Sequence, residues 1–295
     1  RLKIHLISEQ AHPSSRPPRN TSTASTGGGS SSGGGGGGGS SRPSSSSGNT
    51  DTTTTTKPDG TKVQTETKKD GTKIQTEIKK DGTKVETTTA KDGSTSKTTT
   101  NPNGSSVTEN KTADGSIGTV KTDKHGQTTA ETALSSKAVE TAKKNGEPVK
   151  APVEVEATRN SNTAPVVNIE VPKSAGETKV EIPVTNVKPG TVAVLVHPDG
   201  TEEIIKNSVP TEDGIQLTVN GGATVKIVDN SKDFIDTREH WSRDQVNFVA
   251  ARELFQGVGD NQFGVGRPMT RGMVNTVLAR LAGVDTTPAA GQNWY

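Results

Sequence analysis

The chain has no cysteine among its 295 residues, which excludes a disulfide framework, a thiolate metal site and a thiol redox centre. Aromatic residues make up 2% and hydrophobic residues 26%, far below ordinary globular usage, so much of the chain cannot bury a large core. Charge of one sign is also scarce: 35 basic and 33 acidic residues leave a net +2, which gives no general drive toward nucleic acid or an anionic membrane. No run approaches the roughly 18 consecutive apolar residues of a membrane-spanning helix. The opening "RLKIHLISEQ" lacks an initiating Met and a small-residue cleavage site, so it reads poorly as a signal peptide. From Arg1 to the closing "QNWY", the chain is expected to be a fragment of a longer protein.

The polar residues that are present fall into blocks. Residues 1–56 are rich in Gly, Ser, Pro and Thr, with seven glycines from Gly33 to Gly39, and read as a disordered linker. Residues 57–133 carry turn dipeptides at Asp59-Gly60, Asp70-Gly71, Asp81-Gly82, Asp92-Gly93, Asn103-Gly104, Asp114-Gly115 and His125-Gly126, always eleven residues apart. Asp-Gly suits a two-residue type I′ hairpin turn, so each repeat reads as a strand of about nine residues and a turn.

In that register Lys69 pairs with Thr72, Thr67 faces Ile74 and Val63 faces Ile78. One side of the meander is then Thr, Val and Ile, and the other carries Lys62, Gln64, Glu66, Lys73, Gln75 and Glu77. Later repeats such as "KDGSTSKTTTNPNGSSVTENK" lose the apolar side, so a marginal single-layer sheet grading into disorder is expected, with the role of a spacer. Calcium-binding β-rolls also use Asp-Gly repeats, but their nine-residue period does not match. His125 reads as a turn residue beside lysines.

Residues 134–230 begin with "SSKAVETAKKNGEP", whose Ser cap, Ala/Val stripe, terminal lysines and Gly146 predict a short helix. Seven Val/Ile-rich strands follow ("PVEVEA", "PVVNIEV", "TKVEIPV", "TVAVLV", "TEEII", "IQLTV", "ATVKIV"), predicting a small all-β sandwich with an aliphatic core. His197 in "VHPDGTEE" reads as part of a hairpin turn, not a triad or a metal site.

Every Phe, Trp, Tyr and Met lies from Phe234 onward. From Trp241, the positions Trp241, Val246, Val249, Ala250 and Leu254 recur at helical spacing, with Gly257 and Gly259 marking the exit. A loop with Phe263 as its plug runs to Pro268. Val274, Val277, Leu278 and Leu281 then define a second helix ending at Gly283. Residues 231–284 are therefore a helix-loop-helix unit. Arg271 falls at the first position of the second helix, where a cation and free N–H groups can meet one anion. Arg243, Arg252, Arg267 and Arg280 read as solvated.

This unit resembles the S-layer homology (SLH) module of bacterial surface proteins through Phe234-x-Asp236, His240-Trp241, "GVGDNQFG" and Thr270-Arg271. Residues 285–295, with "GQNWY", look like the start of a truncated second module. The resemblance implies an extracellular, non-enzymatic protein of the cell wall or S-layer. Such modules bind secondary cell-wall polymer, often through a pyruvylated sugar, and hold the protein on peptidoglycan beside tandem modules of the same chain. No cofactor and no metal are implied.

By family position Arg271, Trp241, Asp236 and Thr270 are the polymer-binding candidates, Arg271 foremost. Two readings stay open for two of them: Trp241 packs on a sugar ring or in the core, and Asp236 accepts sugar hydroxyls or caps a turn. The family commonly has Thr-Arg-Ala-Glu where this chain has Thr-Arg-Gly-Met, so the reciprocal capping box is missing; Met269 and Val274 can still staple the helix start. Two alternatives remain for the whole chain. One is an adhesin whose β-domain binds a glycan or host ligand, and the other is the non-catalytic tail of a wall hydrolase.

Overall fold

The computed structural model describes residues 51–286. Residues 1–50 of the linker read at 1–56, and residues 287–295 of the expected second module, lie outside these.

Eight strands of six residues open the described chain: β1 (Asp51–Thr56), β2 (Lys62–Thr67), β3 (Lys73–Ile78), β4 (Lys84–Thr89), β5 (Thr95–Thr100), β6 (Ser106–Lys111), β7 (Ile117–Thr122) and β8 (Thr128–Ala133). Each is antiparallel to the next. β1 occupies the end of the stretch that composition reads as linker. Its β-branched threonines favour extended backbone and pair with β2 along the whole strand.

The turns differ from the two-residue form expected. A type I′ turn needs positive φ at both central residues, yet Gly71 (φ 87°) and its equivalents are positive while the preceding Asp residues are not. Lys68 N–H donates to Thr72 O (2.9 Å) and Gly71 N–H to Lys68 O (3.0 Å), which makes a type I turn closed by a glycine bulge. The Asp70 carboxylate accepts from Thr72 N–H at 2.8 Å and holds the loop. With five residues in the turn and six in the strand, the eleven-residue period is complete.

The longer turn slips the register by one residue. Val63 lies opposite Glu77 rather than Ile78, and Ile74 opposite Glu66. A slip of one exchanges faces, so the expected apolar side does not exist; Thr, Lys and Ile mix on both. Nor do the later repeats fade into disorder: Ser116 is 1% exposed, its hydroxyl accepting from Ser135 N–H at 3.0 Å, and Ala130 is fully buried in a core shared with a second sheet.

That second sheet arises after α1 (Ser136–Asn145), which is capped by the Ser135 hydroxyl on Ala138 N–H and stopped at Gly146 (φ 70°), as its sequence predicts. The strands that follow are β9 (Val149–Lys150), β10 (Val155–Glu156), β11 (Val166–Glu170), β12 (Glu177–Thr185), β13 (Thr191–Val196), β14 (Glu202–Ile204), β15 (Val209–Pro210), β16 (Gly214–Asn220) and β17 (Gly222–Asp229). All seven expected strands form, while the two-residue β9 and β15 carry no sequence signal of their own.

β11 joins β8 in parallel, with Ala130 beside Val167, so the meander continues as β11, β17, β13 and β14 in one 12-stranded sheet. The other sheet runs β10, β12, β16, β15, with β9 also on β12. Between them lies an aliphatic core that includes Ala130, Val167, Ile169, Val225 and Ile227 from the first sheet and Val180, Ile182, Ile215 and Leu217 from the second. Each large side chain buried there contributes roughly 1.5–3 kcal/mol.

The segment before β10 crosses over the meander so closely that a Cβ at Gly118 would lie 2.2 Å from Pro152 O. Asn110 Nδ2 donates to that same carbonyl at 2.8 Å. His197 closes the β13–β14 hairpin: its N–H donates to Thr201 O, and Asp199 accepts from Thr201 N–H, as expected of a turn.

Candidate binding site

After β17 the chain makes a 3-10 turn (Ile235–Thr237), then α2 (Arg243–Ala251), a long loop and α3 (Arg271–Leu281). The loop is held from two sides. Phe263 packs against Phe234 and Phe255, with ring centroids 5.5 and 6.2 Å away, which is the plug expected of it. Opposite, the Asp236 carboxylate accepts N–H groups from Phe263 (2.8 Å), Gly264 (2.8 Å) and Val265 (3.2 Å). The Phe263 N–H, then those of Gly264 and Val265, hold this carboxyl below the usual range against an opposing effect of desolvation. Of the two readings for Asp236, these contacts are those of a turn cap, and they tie the 3-10 turn to the loop leading into α3.

Trp241 precedes α2 rather than lying in it. It is 82% exposed and stacks on His240 at 5.4 Å between centroids, which leaves the indole open to solvent. His240 Nδ1 lies 2.8 Å from Ser242 Oγ, which fixes the imidazole beside the indole.

Thr270 is the N-cap of α3: its hydroxyl accepts from Met273 N–H at 3.2 Å, so the helix starts without the Glu of the usual box. Arg271 is exposed at the first position of that helix. Thr270 and Arg271 are therefore adjacent, Asp236 reaches their loop through three amides, and Trp241 belongs to a separate pairing with His240. Of the expected apolar stripe of α3, Val277 is half-buried while Val274, Leu278 and Leu281 are 43, 57 and 49% exposed, and Met273 beside them is 50% exposed. Met269 and Val274 are also open to solvent, where a staple had been expected.

Two arginines read as solvated are not. Arg252 is fully buried. Its Nε donates to Ser208 O (2.8 Å), its Nη2 to Thr191 O (3.0 Å) and its Nη1 to Pro189 O (3.2 Å) and Phe248 O (3.0 Å), with the guanidinium 3.9 Å over the Phe248 ring. Burial pulls its pKa down to about 10, so it keeps its charge at neutral pH. Arg280 donates from Nη1 to Leu254 O at 3.2 Å and ties α3 to the chain beyond α2.

Arg252 seats α2 on the 12-stranded sheet. Beside it, Ala251 packs in a small cluster with Ala164, Val192, Val194 and Val228, and Asn230 Nδ2 donates to Ala251 O at 2.6 Å. The sequence held a signal for Arg252: it lies four residues after Phe248 and three after Val249, on the helix face that carries the apolar stripe.

No curated protein and no solved structure matches the chain. The family model of the S-layer homology domain, however, matches residues 233–272, a span that runs from the residue before Phe234, through the Asp236 latch, Trp241 and the Phe263 loop, to the first turn of α3.

Proposed function

We propose that this protein is a bacterial surface protein held on the cell wall by its SLH module, without a covalent bond and without enzymatic activity. The match over residues 233–272 carries the reading. The ligand we assign is a secondary cell-wall polymer on peptidoglycan, recognised through the fixed carboxylate of a pyruvylated sugar. A carboxylate needs a positioned cation and backbone donors, and Arg271 at the start of α3 offers both. The exposed indole of Trp241 is a flat surface of the kind that packs on a sugar ring. Asp236 contributes by holding the loop that delivers Thr270 and Arg271.

The repeats act as a spacer that carries upstream residues away from the wall. A further partner is a neighbouring module of the same protein, which the open stripe of α3 supports, since soluble proteins rarely leave such a row uncovered. Among the described residues no helix is long and apolar enough to cross a membrane. The test is co-sedimentation of the full chain with purified wall sacculi. Arg271→Ala is expected to lower retention at least tenfold, in line with a charge-assisted contact of about 1.5–3 kcal/mol. Equal retention by the variant removes Arg271 from the site.

A further inference from the structure

We propose that two copies of this protein join edge to edge through β1, extending the 12-stranded sheet across a two-fold axis at Thr54. Among the described residues β1 ends the sheet with a full-length strand, and all six of its residues are exposed. Edge strands in soluble proteins are commonly blunted by charge, proline, a bulge or shortness. The opposite edge follows this rule: β14 is only three residues long and carries Glu202 and Glu203. β1 does not. Thr52 to Thr56 hold no charge and no proline, and their register with β2 is unbroken.

The turn chemistry fixes which groups are free. Lys57 N–H donates to Thr61 O and Lys57 O accepts from Gly60 N–H, so Lys57 faces β2. Alternation along an antiparallel strand then turns Thr55, Thr53 and Asp51 toward β2, and the N–H and C=O of Thr52, Thr54 and Thr56 outward. A second β1 running antiparallel satisfies all of these when Thr54 meets Thr54, Thr52 meets Thr56 and Thr56 meets Thr52. That register also sets Asp51 of each copy opposite Lys57 of the other; Lys57 Nζ donates to Glu77 Oε1 at 3.0 Å within its own chain and can share its charge with the incoming carboxylate. Moving the register by two residues loses part of the ladder and both charge pairs.

The new neighbours are all threonines, a combination this sheet already uses: the hydroxyls of Thr98 and Thr108, and of Thr122 and Thr128, meet across strands at 3.0 Å. The ligand is thus a second copy of this chain, and the contact is a small one of the weak, transient class. On a wall surface, where copies are crowded, such pairing would couple neighbouring spacers sideways.

The absence of cysteine gives a clean test on the full chain. In the proposed pair, Thr54 is its own neighbour at a Cα separation of about 5.5 Å, within disulfide reach, whereas Thr56 lies about four residues along from its mate. Under mild oxidation at high protein concentration, Thr54→Cys should cross-link several-fold faster than Thr56→Cys. Thr54→Pro, whose lost N–H points away from β2, should abolish concentration-dependent dimerisation in sedimentation velocity while circular dichroism stays unchanged. Equal cross-linking at the two positions, or a wild-type chain that stays monomeric at every concentration, overturns the proposal.

Discussion

Arg252 and Asp236 show how much of this protein is decided by side chains satisfying distant backbone. Arg252 serves four carbonyls, from Pro189, Thr191, Ser208 and Phe248, and truncation would leave buried acceptors without a donor. Arg252→Ala is expected to cost roughly 3 kcal/mol in urea unfolding, and Arg252→Lys to recover only a fraction, because an ammonium cannot span the same set. Asp236 works through charge. Its folded pKa lies below the ordinary 3.8, so its stabilisation of the loop is present above that value and is lost as pH falls through the folded pKa. Protection factors, referred to the intrinsic exchange rate at each pH, should therefore fall at Phe263, Gly264 and Val265 in acid ahead of the β-sandwich, and Asp236→Asn should show the lower protection already at pH 7. Of these two roles only one was legible. Phe234-x-Asp236 marked the latch as a residue of interest, while for Arg252 only its place on the apolar helix face near Phe248 could be read; its other partners lie 44 to 63 residues away, where no local pattern reaches.

At the scale of elements, the turns separate what periodicity can tell from what it cannot. The eleven-residue spacing located every hairpin from Asp59-Gly60 to His125-Gly126, and the caps of α1 and α3 were readable residue by residue. Turn type was not readable, since Asp-Gly suits both a two-residue turn and a three-residue loop with a glycine bulge. The difference of one residue inverted both faces of the meander, which is why the expected apolar side is missing. Gly82, at φ 85°, tests this geometry. Gly82→Ala should destabilise the repeat sheet by about 1–2 kcal/mol, read by thermal unfolding, since a Cβ in the left-handed region is strained. Asp81→Ala, which removes only the acceptor for Thr83 N–H, should cost less.

Across the whole molecule, the repeats and the sandwich share one sheet because β8 and β11 pair in parallel, a contact that no local pattern announces. The close crossing at Gly118 depends on this union; Gly118→Ala should cost more than about 2 kcal/mol and loosen β6 and β7, because Pro152 O leaves no room. The segment that the S-layer homology model matches is in turn seated on that sheet through α2, by Arg252 and the Ala251 cluster. The aromatic residues and their spacing did mark out, in the sequence, the segment that the S-layer homology model matches. The most direct test of the central claim is retention of the full chain on sacculi before and after mild acid removes the pyruvyl groups from the wall polymer. We expect retention on the intact wall and at least a tenfold loss after treatment, whereas equal retention on both would contradict recognition of the pyruvyl carboxylate.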